Sequence, residues 1–182
     1  MSDTVERLCQ LAGKGDARAA SELLSLSYKK IFAYFRRLCA DDSEAADLTQ
    51  KTFMQVWKSL PTYESRSSFN TWLHSIARHV YLDWRRKPRR NEPQTDAWWD
   101  LQPAAGQGPF ESAEEHDLCE RLYASVAKLD DDAREVLHLH SFQGLSLSET
   151  AEALGIAVST VKYRQRAAFD VLRRDFRKGN HE

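Results

Sequence analysis

The sequence has few cysteines, the residues that cross-link small proteins through disulfides or bind zinc. Only three of its 182 residues are cysteines, Cys9, Cys39 and Cys119, and they stand far apart with no C-x-x-C pair. An odd, scattered set suits reduced thiols better than a disulfide framework or a zinc site. No apolar run approaches the length of a membrane span, and the N-terminus lacks the basic and apolar segments of a secretory signal. The sequence therefore predicts a cytoplasmic protein.

The motifs of common enzyme classes are also missing. The sequence contains no glycine-rich phosphate loop and no serine- or cysteine-centred triad in a recognisable context. His138 and His140 are two residues apart on a predicted helix, so their side chains point to different sides and form no metal pair. We therefore expect no catalytic activity, no metal and no cofactor.

Helical periodicity covers most of the chain, and no alternating β pattern occurs. Apolar residues recur at spacings of three and four, and polar or helix-breaking residues separate these runs. The predicted helices cover residues 5–40 with a break near Gly13, then 44–60, 69–87, 113–128, 131–142, 146–154 and 159–177. The expected capping residues are Asp16, Ser67 or Ser68, Ser146 with Glu149 as a capping box, and Ser159 or Thr160.

Proline and glycine divide the chain in two. Residues 88–112 hold four of the five prolines and two of the seven glycines, and no periodicity survives there. Such a composition is typical of a linker. The fold is therefore predicted to be all-α, with two small helical domains, 1–87 and 113–182, joined by this flexible linker. Trp98 and Trp99 are unusual in a free linker, and the sequence leaves open whether they pack on a domain or dock into a partner.

The net charge of −1 conceals an uneven distribution. Residues 63–90 carry seven Lys or Arg and two Asp or Glu, and residues 159–178 carry seven and two again. Residues 91–158 carry three and fourteen. Two basic blocks separated by an acidic one suggest two nucleic-acid contacts on one chain.

Two blocks of sequence resemble a known family. The strings DLTQKTFMQVW, LPTY and SSFNTWLHSIARHVYLDWRR resemble region 2 of bacterial sigma factors of the compact extracytoplasmic-function group. The string LDDDAREVLHLHSFQGLSLSETAEALGIAVSTVKYRQRA resembles region 4 of the same group, and the two blocks occur in the right order. The resemblance implies a sigma factor that directs core RNA polymerase to specific promoters and initiates transcription. Such proteins are commonly held inactive by an anti-sigma factor, which is therefore an expected partner.

The resemblance implies a first binding surface on the helix predicted over 44–60. A stripe on that helix docks on the clamp helices of the polymerase β′ subunit in the family, and the β flap is a further implied contact. The residues of the stripe are Asp47, Gln50, Lys51, Met54 and Lys58. The family usually has an acidic residue where this chain has Lys51.

A second surface, for the start-proximal promoter element, is predicted on the loop and helix of 63–86. Bases that leave the duplex stack bind aromatic faces, and a basic groove follows the backbone. Tyr63 lies outside the apolar stripe, which favours base stacking, whereas Phe69 and Trp72 fit the stripe and favour the core. The residues predicted for this contact are Tyr63, Arg66, Ser67, Asn70, Thr71, Arg78, His79, Arg85 and Arg86.

A third surface, for the upstream promoter element, is predicted on the last helix. The second helix of a helix-turn-helix places its N-terminal residues at base edges in the major groove, where Lys and Arg donate to guanine. The residues predicted for this contact are Ser159, Thr160, Lys162, Tyr163, Arg164 and Arg166. Family members often have Arg where this chain has Ala167 and an apolar residue where it has Gln165, so we expect a different promoter preference.

Two other functions remain open on the sequence. A plain helix-turn-helix regulator with a sensing or dimerising N-terminal domain would not account for DLTQKTFMQVW together with the first basic block. An enzyme that processes nucleic acid would need a catalytic cluster, which the sequence lacks. Promoter-dependent transcripts from core polymerase would separate the three.

Overall fold

A computed structural model of the chain describes residues 2–39, 41–86, 121–122 and 124–178, and all the regular secondary structure within these ranges is helical. This confirms the all-α prediction. The predicted linker 88–112, with Trp98 and Trp99, lies outside the described residues, as does most of the helix predicted over 113–128. The helices are α1 Ser2–Gly13, α2 Ala17–Cys39, α3 Asp42–Ser59 with a 3₁₀ turn Leu60–Thr62, α4 Phe69–Arg86, α5 Asp131–Leu137 with a π-helical turn His138–Phe142, α6 Leu147–Leu154 and α7 Val158–Lys178.

Three of the four predicted N-terminal caps are present. Asp16 accepts two backbone N–H groups at the start of α2, at 2.9 and 3.1 Å. Ser68 rather than Ser67 accepts one at the start of α4, at 3.2 Å. Ser146 and Glu149 form the predicted capping box of α6. That helix ends at Gly155 with φ 59°, a left-handed conformation that glycine adopts without steric cost.

The predicted cap of the last helix is wrong. The backbone carbonyl of Ala157 accepts the N–H groups of Thr160 and Val161, so α7 already begins at Val158. Ser159 and Thr160 therefore lie in the first helical turn, where their side chains cannot serve as the N-cap.

The segment predicted as one α-helix over 131–142 changes character at His138. There α5 gives way to a π-helical turn, whose backbone hydrogen bonds join residues five apart instead of four. The two adjacent side chains His138 and Leu139 are both buried, with 2% and 0% of their surface exposed. Burial is continuous from Glu135 to Leu139, across the change from α-helix to π-helical turn.

The N-terminal domain is a bundle in which α2 packs against α1 and α3, and α3 packs against α4. The apolar stripes predicted from spacing meet in its centre, where Leu23, Ile31, Phe35, Leu48 and Leu73 are almost completely buried. Each buried side chain of this size contributes about 1.5–3 kcal/mol to folding.

The C-terminal domain packs α5 and α6 against α7. A small hydrophobic cluster that includes Leu129, Leu137 and Leu172 holds α5 to α7. The other faces of α5 and α6 are turned towards the N-terminal domain, where α6 packs on α4. Leu139 and Leu154 belong to the same buried cluster as N-terminal residues. The two helical domains that the sequence predicts are therefore in contact through a shared core.

Among residues 2–39, 41–86, 121–122 and 124–178, no helix is long and apolar enough to cross a lipid bilayer.

Candidate polymerase and promoter interfaces

An apolar groove lies between α2 and α3, beside the stripe predicted to bind polymerase. Three large apolar side chains are exposed in it, with exposed fractions of 55% for Met54, 47% for Trp57 and 46% for Tyr28. The groove has a volume of about 660 Å³. Its polar lining residues are Asp47, Gln50 and Lys58. Four of the five predicted polymerase-binding residues thus border one groove, whereas Lys51 is exposed outside its lining.

The sequence prediction missed part of this groove. Leu24 and Tyr28 of α2 form its other wall, and the Tyr28 ring packs against Phe53 with 6.1 Å between ring centroids. The spacing of Trp57 from its apolar neighbours in α3 indicates a buried position, but nearly half of its surface is exposed. The feature of the sequence that could have indicated this wall is Tyr28, an aromatic residue beside the apolar stripe of α2.

The tyrosine predicted to stack on bases is packed within an aromatic cluster. The ring of Tyr63 lies 4.7 Å from that of Trp72 and 6.1 Å from that of Phe69, between ring centroids. Its hydroxyl donates to the backbone carbonyl of Ser67 at 2.7 Å. Burial raises the pKa of Tyr63. In this structure Tyr63 therefore anchors both ends of the loop, while Phe69 is buried in the core as predicted.

The tip of the loop, residues 64–66, is open to solvent. Ser65 adopts φ 54°, which turns the chain sharply at the tip. Arg66 pairs there with Glu64 at 2.5 Å, and both side chains remain largely exposed. The accessible positive charge of the loop is therefore carried by Arg66, beside the exposed carboxylate of Glu64.

The predicted DNA residues of α4 fall into two groups. Asn70, His79 and Arg86 are exposed or half-buried and have no contact with the C-terminal domain among the described hydrogen bonds and ion pairs. Arg78 and Arg85 instead pair with carboxylates of α5, and Thr71 is completely buried against α6. Arg78 and Thr71 are therefore covered in this arrangement of the domains, whereas the side chain of Arg85 remains 51% exposed.

The helix-turn-helix formed by α6, the turn at Gly155 and α7 presents one open face. Ser159, Lys162, Tyr163 and Arg166 are exposed on it, and Tyr163 has 74% of its surface accessible. Thr160 is half-buried.

Arg164 lies differently from the other predicted residues of α7. Its guanidinium donates to the carboxylate of Asp132 in α5, and its side chain is mostly covered. In this structure Arg164 therefore ties α7 to α5.

A buried polar network fills the junction between the domains. The carboxylate of Glu135 accepts a hydrogen bond from the hydroxyl group of Tyr34. It also forms an ion pair with Arg78 at 3.4 Å. Beside it, Nδ1 of His138 accepts from Arg37 at 2.8 Å, so the proton of the neutral ring is on Nε2. Burial raises the pKa of Glu135. Burial and the neighbouring Arg37 charge hold the pKa of His138 well below its ordinary value.

His74 is the second buried imidazole at this junction. Its Nδ1 donates to the backbone carbonyl of Asn70 at 2.8 Å, and its Nε2 is buried without a hydrogen-bond partner. The ring lies edge-on to Tyr34 at 5.8 Å between centroids. Burial, together with the nearby Lys30 charge, lowers the pKa of His74 to about 4, against the opposing effect of the Asn70 carbonyl. His74 is therefore neutral at pH 7.

We expect the folded chain to lose stability between pH 7 and 5.5, in part through His74. In the unfolded chain its imidazole has a pKa near 6.5 and takes up a proton in this range, whereas the buried ring, with a pKa of about 4, does not. The contribution of His74 to the free energy of unfolding is fully present above pH 6.5. It decreases as the pH falls towards the folded pKa, by about 1 kcal/mol at pH 5.5. Urea denaturation of His74→Asn, which retains a donor for the Asn70 carbonyl, should show a correspondingly smaller loss.

His79→Asn is the matched control, because His79 makes the same contact to the carbonyl four residues earlier, at Ser75, but is exposed. It should leave the pH slope of the parent in place. Glu135 acts in the opposite direction, since its raised pKa favours the folded state as the pH falls, but it is common to parent and variants. Equal pH slopes for the parent and His74→Asn would contradict the assignment.

The fold and these surfaces define a helical DNA-binding protein whose second domain is a helix-turn-helix. Two family models match the chain, Sigma-70 region 2 over residues 23–91 and Sigma-70, region 4 over residues 126–174. The chain is 36% identical over 151 residues to the ECF RNA polymerase sigma factor SigX of Bacillus subtilis, a match that covers 81% of this chain and 78% of SigX. It is 32% identical over 173 residues to the ECF RNA polymerase sigma factor SigC of Mycobacterium tuberculosis, covering 95% and 91%.

The chain belongs to the sigma-70 family, and within it to the extracytoplasmic-function RNA polymerase sigma factors. It is a transcription initiation factor that directs core RNA polymerase to specific promoters.

Two solved structures share the fold. One is the structure of CnrH in complex with the cytosolic domain of CnrY, with a TM-score of 0.67, 24% identity and coverage of 93% of this chain and 95% of that one. The other is the sigma factor RpoE in complex with the anti-sigma factor NepR from Bartonella quintana, with a TM-score of 0.65, 23% identity and coverage of 86% and 96%. At these identities the likeness concerns the fold alone.

Proposed function

We propose that this sigma factor binds core polymerase through the groove between α2 and α3, and promoter DNA through two separate surfaces. The observation that carries the polymerase assignment is the exposure of Met54, Trp57 and Tyr28 around one groove. An exposed apolar patch framed by polar residues marks a protein-binding site, and aromatic and methionine side chains are enriched at such interfaces.

The partner of the groove is a helical element of the polymerase, which we take to be the β′ clamp helices. A helix laid between α2 and α3 would bury the apolar side chains in the groove. Asp47 and Gln50, at the edge, can then accept hydrogen bonds from basic side chains of the partner. Lys58 at the far end favours an acidic group of the partner. The lining of the groove therefore changes from negative at Asp47 to positive at Lys58.

The upstream promoter element is assigned to the open face of α7. Lys162 and Arg166 point away from the domain and can donate to guanine O6 and N7 in the major groove. Tyr163 adds an exposed ring beside them. Ser159 in the first helical turn suits a phosphate contact.

The start-proximal element is assigned to the 63–68 loop and the polar face of α4. Arg66 and Arg86 supply accessible charge for the backbone of a separated strand, and the aromatic cluster of Tyr63 and Trp72 lies directly behind the loop. A flipped base would enter between the loop tip and this cluster. Because α4 holds the cluster in place, a base bound there would contact a rigid element.

Control by an anti-sigma factor and a contact of the C-terminal domain with the β flap complete the proposal, and both rest on family membership. Synthesis of RNA is carried out by the polymerase, and the chain works in the cytoplasm beside it. Co-purification of the chain with a regulatory protein, released when transcription is induced, would test the first of these.

Replacing Asp47 and Gln50 together by alanine tests the polymerase assignment. We expect binding to core polymerase in a pull-down titration to weaken about tenfold, since two polar interface contacts are lost. The free energy of unfolding should change by less than about 0.5 kcal/mol, because both side chains are exposed.

A matched control is Glu22→Gln with Ser25→Ala, an acidic and a polar position exposed on α2 outside the groove lining. This control should bind polymerase as the parent does. Unchanged binding by the Asp47 and Gln50 variant, or an equal loss in the control, would show that the groove is not the docking surface.

A further inference from the structure

Arg164 and Asp132 form a charged pair beside the open face of α7. The Nη2 atom of Arg164 donates to the carboxylate of Asp132, which lies in the first turn of α5. Arg164 directly follows Tyr163 in α7, and Lys162 and Arg166, two residues to either side of it, are exposed on the open face. The pair therefore belongs wholly to the C-terminal domain and borders the surface assigned to the upstream element.

The guanidinium of Arg164 is only partly satisfied by this pair. Its other terminal nitrogen, Nη1, is buried and makes no hydrogen bond to any residue that the structure describes. A buried donor without an acceptor carries a free-energy cost, because it has lost its hydrogen bonds to water and gained none in return. A conformation that turns the guanidinium outward, towards a partner with several acceptor oxygens, would remove that cost.

Asp132 can release Arg164 without loss of the fold. Its side chain is 51% exposed, so the carboxylate is already largely hydrated. It also lies near the N-terminus of α5, where the helix dipole favours negative charge whether or not an arginine is present. An ion pair with so exposed a carboxylate adds little net stability. The pair is therefore suited to an exchange of partners.

A backbone phosphate of duplex DNA is the exchange partner that the location of the pair offers. A recognition helix seated in the major groove is flanked by phosphates, and arginine is a common ligand for them. A phosphate can accept two parallel N–H donors from one guanidinium, so it would satisfy Nη1 of Arg164 as well as Nη2. Asp132 therefore occupies Arg164 with an anionic group of the same kind as the one that DNA would present.

We propose that Asp132 is a specificity-determining residue, which holds Arg164 until Lys162 and Arg166 have seated α7 on a matching upstream element. Arg164 then exchanges the carboxylate for a phosphate. The proposal rests on the proposed assignment of the upstream element to α7. On mismatched DNA no base contacts hold α7 deep in the groove, so Arg164 stays with Asp132 and one phosphate contact is withheld. Specificity is a difference of affinities, and withholding this contact from mismatched DNA increases it.

The test is transcription by polymerase reconstituted with the full chain, on a promoter library with a randomised upstream element. Selectivity is the ratio of transcription from the best-used elements to transcription from the average one. Asp132→Asn keeps the shape but removes the charge, and it should lower selectivity about fivefold through more transcription from mismatched elements. The effect should be largest at low salt, since a phosphate contact adds roughly 0.9 to the slope of log K against log salt. Asp132→Glu retains a carboxylate and should keep the selectivity of the parent.

Asp170→Asn is the matched control, because it also removes a carboxylate from an arginine of α7. Asp170 pairs with Arg173 at 3.7 Å, and both lie nearer the C-terminal end of the helix. This control should keep the selectivity of the parent. Arg164→Ala should reduce transcription from matching elements, and adding Asp132→Asn to it should lower selectivity no further, since the exchange needs both residues.

A spectroscopic readout follows Arg164 itself. The Nε–H resonance of Arg164 in the full chain should shift when a duplex carrying the best-used element is added. A mismatched duplex of the same length should leave it in place. A resonance that shifts equally with both duplexes would overturn the selective exchange.

The transcription results separate the exchange from the assignment of α7. Unchanged selectivity in Asp132→Asn, or an equal loss in Asp170→Asn, would overturn the exchange. A loss caused by Asp132→Asn even in the Arg164→Ala background would show that Asp132 acts on DNA directly, which also overturns it. Lys162→Ala with Arg166→Ala tests the assignment of α7, because that variant should lose the preference whether or not Asp132 contributes.

Discussion

Replacing Met54 and Trp57 together by serine is expected to weaken binding to core polymerase by about a hundredfold or more. A tryptophan at the centre of an interface typically contributes 2 kcal/mol or more on truncation, and about 1.4 kcal/mol corresponds to a factor of ten. The two side chains are about half exposed in the free chain, so the loss should fall mainly on binding and not on folding. Titration of labelled polymerase, with thermal unfolding of the free variants, measures both.

Leu26→Ser is the matched control for this variant. Leu26 is as exposed as Met54, at 55%, and stands on α2, but it does not line the groove. The control should bind polymerase with the affinity of the parent. If the double variant also keeps that affinity, the exposed apolar side chains of the groove have another role and the docking surface must be sought elsewhere.

The second large effect is expected from Lys162→Ala combined with Arg166→Ala. A good base contact discriminates by about 1–3 kcal/mol, so loss of two contacts should reduce transcription from promoters that need the upstream element by about a hundredfold. Polymerase binding should persist, because the groove lies in the other domain. The measurement is transcription from a promoter library with a randomised upstream element, which also reports whether sequence preference is relaxed.

Arg173→Ala with Arg174→Ala provides the control on the same helix. Both residues are exposed near the C-terminal end of α7, far from the N-terminal end that enters the major groove of DNA. Their replacement removes the same positive charge as the Lys162 and Arg166 variant. The control should lower affinity slightly for all sequences and leave the preference intact. A Lys162 and Arg166 variant that reads the randomised element as the parent does would exclude this face as the reading surface.

Local signals in the sequence were sufficient for the helical fold and for three of the four predicted helix caps. Leu48, Leu73 and Val161 follow the spacing of three and four and lie in the core, and the caps at Asp16, Ser68 and Ser146 follow from side-chain chemistry within a few residues. The start of α7 was missed because Ala157 supplies only its backbone carbonyl to the first turn.

Non-local contacts account for what the sequence could not supply. Glu135 belongs to the acidic block between the two basic ones, but it is buried because Tyr34 and Arg78, distant in the chain, are both placed to bond to it. Tyr63 and Arg164 are polar residues off the apolar stripes, and pattern alone gives no sign that they pack against Trp72 and Asp132. The predicted stripe forms only the α3 wall of the groove, and the α2 wall was not predicted.

Transcription in a reconstituted system tests the central claim most directly. The purified chain is added to core RNA polymerase with a library of promoter fragments, and the transcripts are sequenced from their starts. We expect defined starts that depend on the chain and share one upstream and one start-proximal element, and we expect them to disappear with the Met54 and Trp57 variant. Transcripts that are independent of the chain, or starts without a shared element, would contradict its function as a promoter-specific initiation factor.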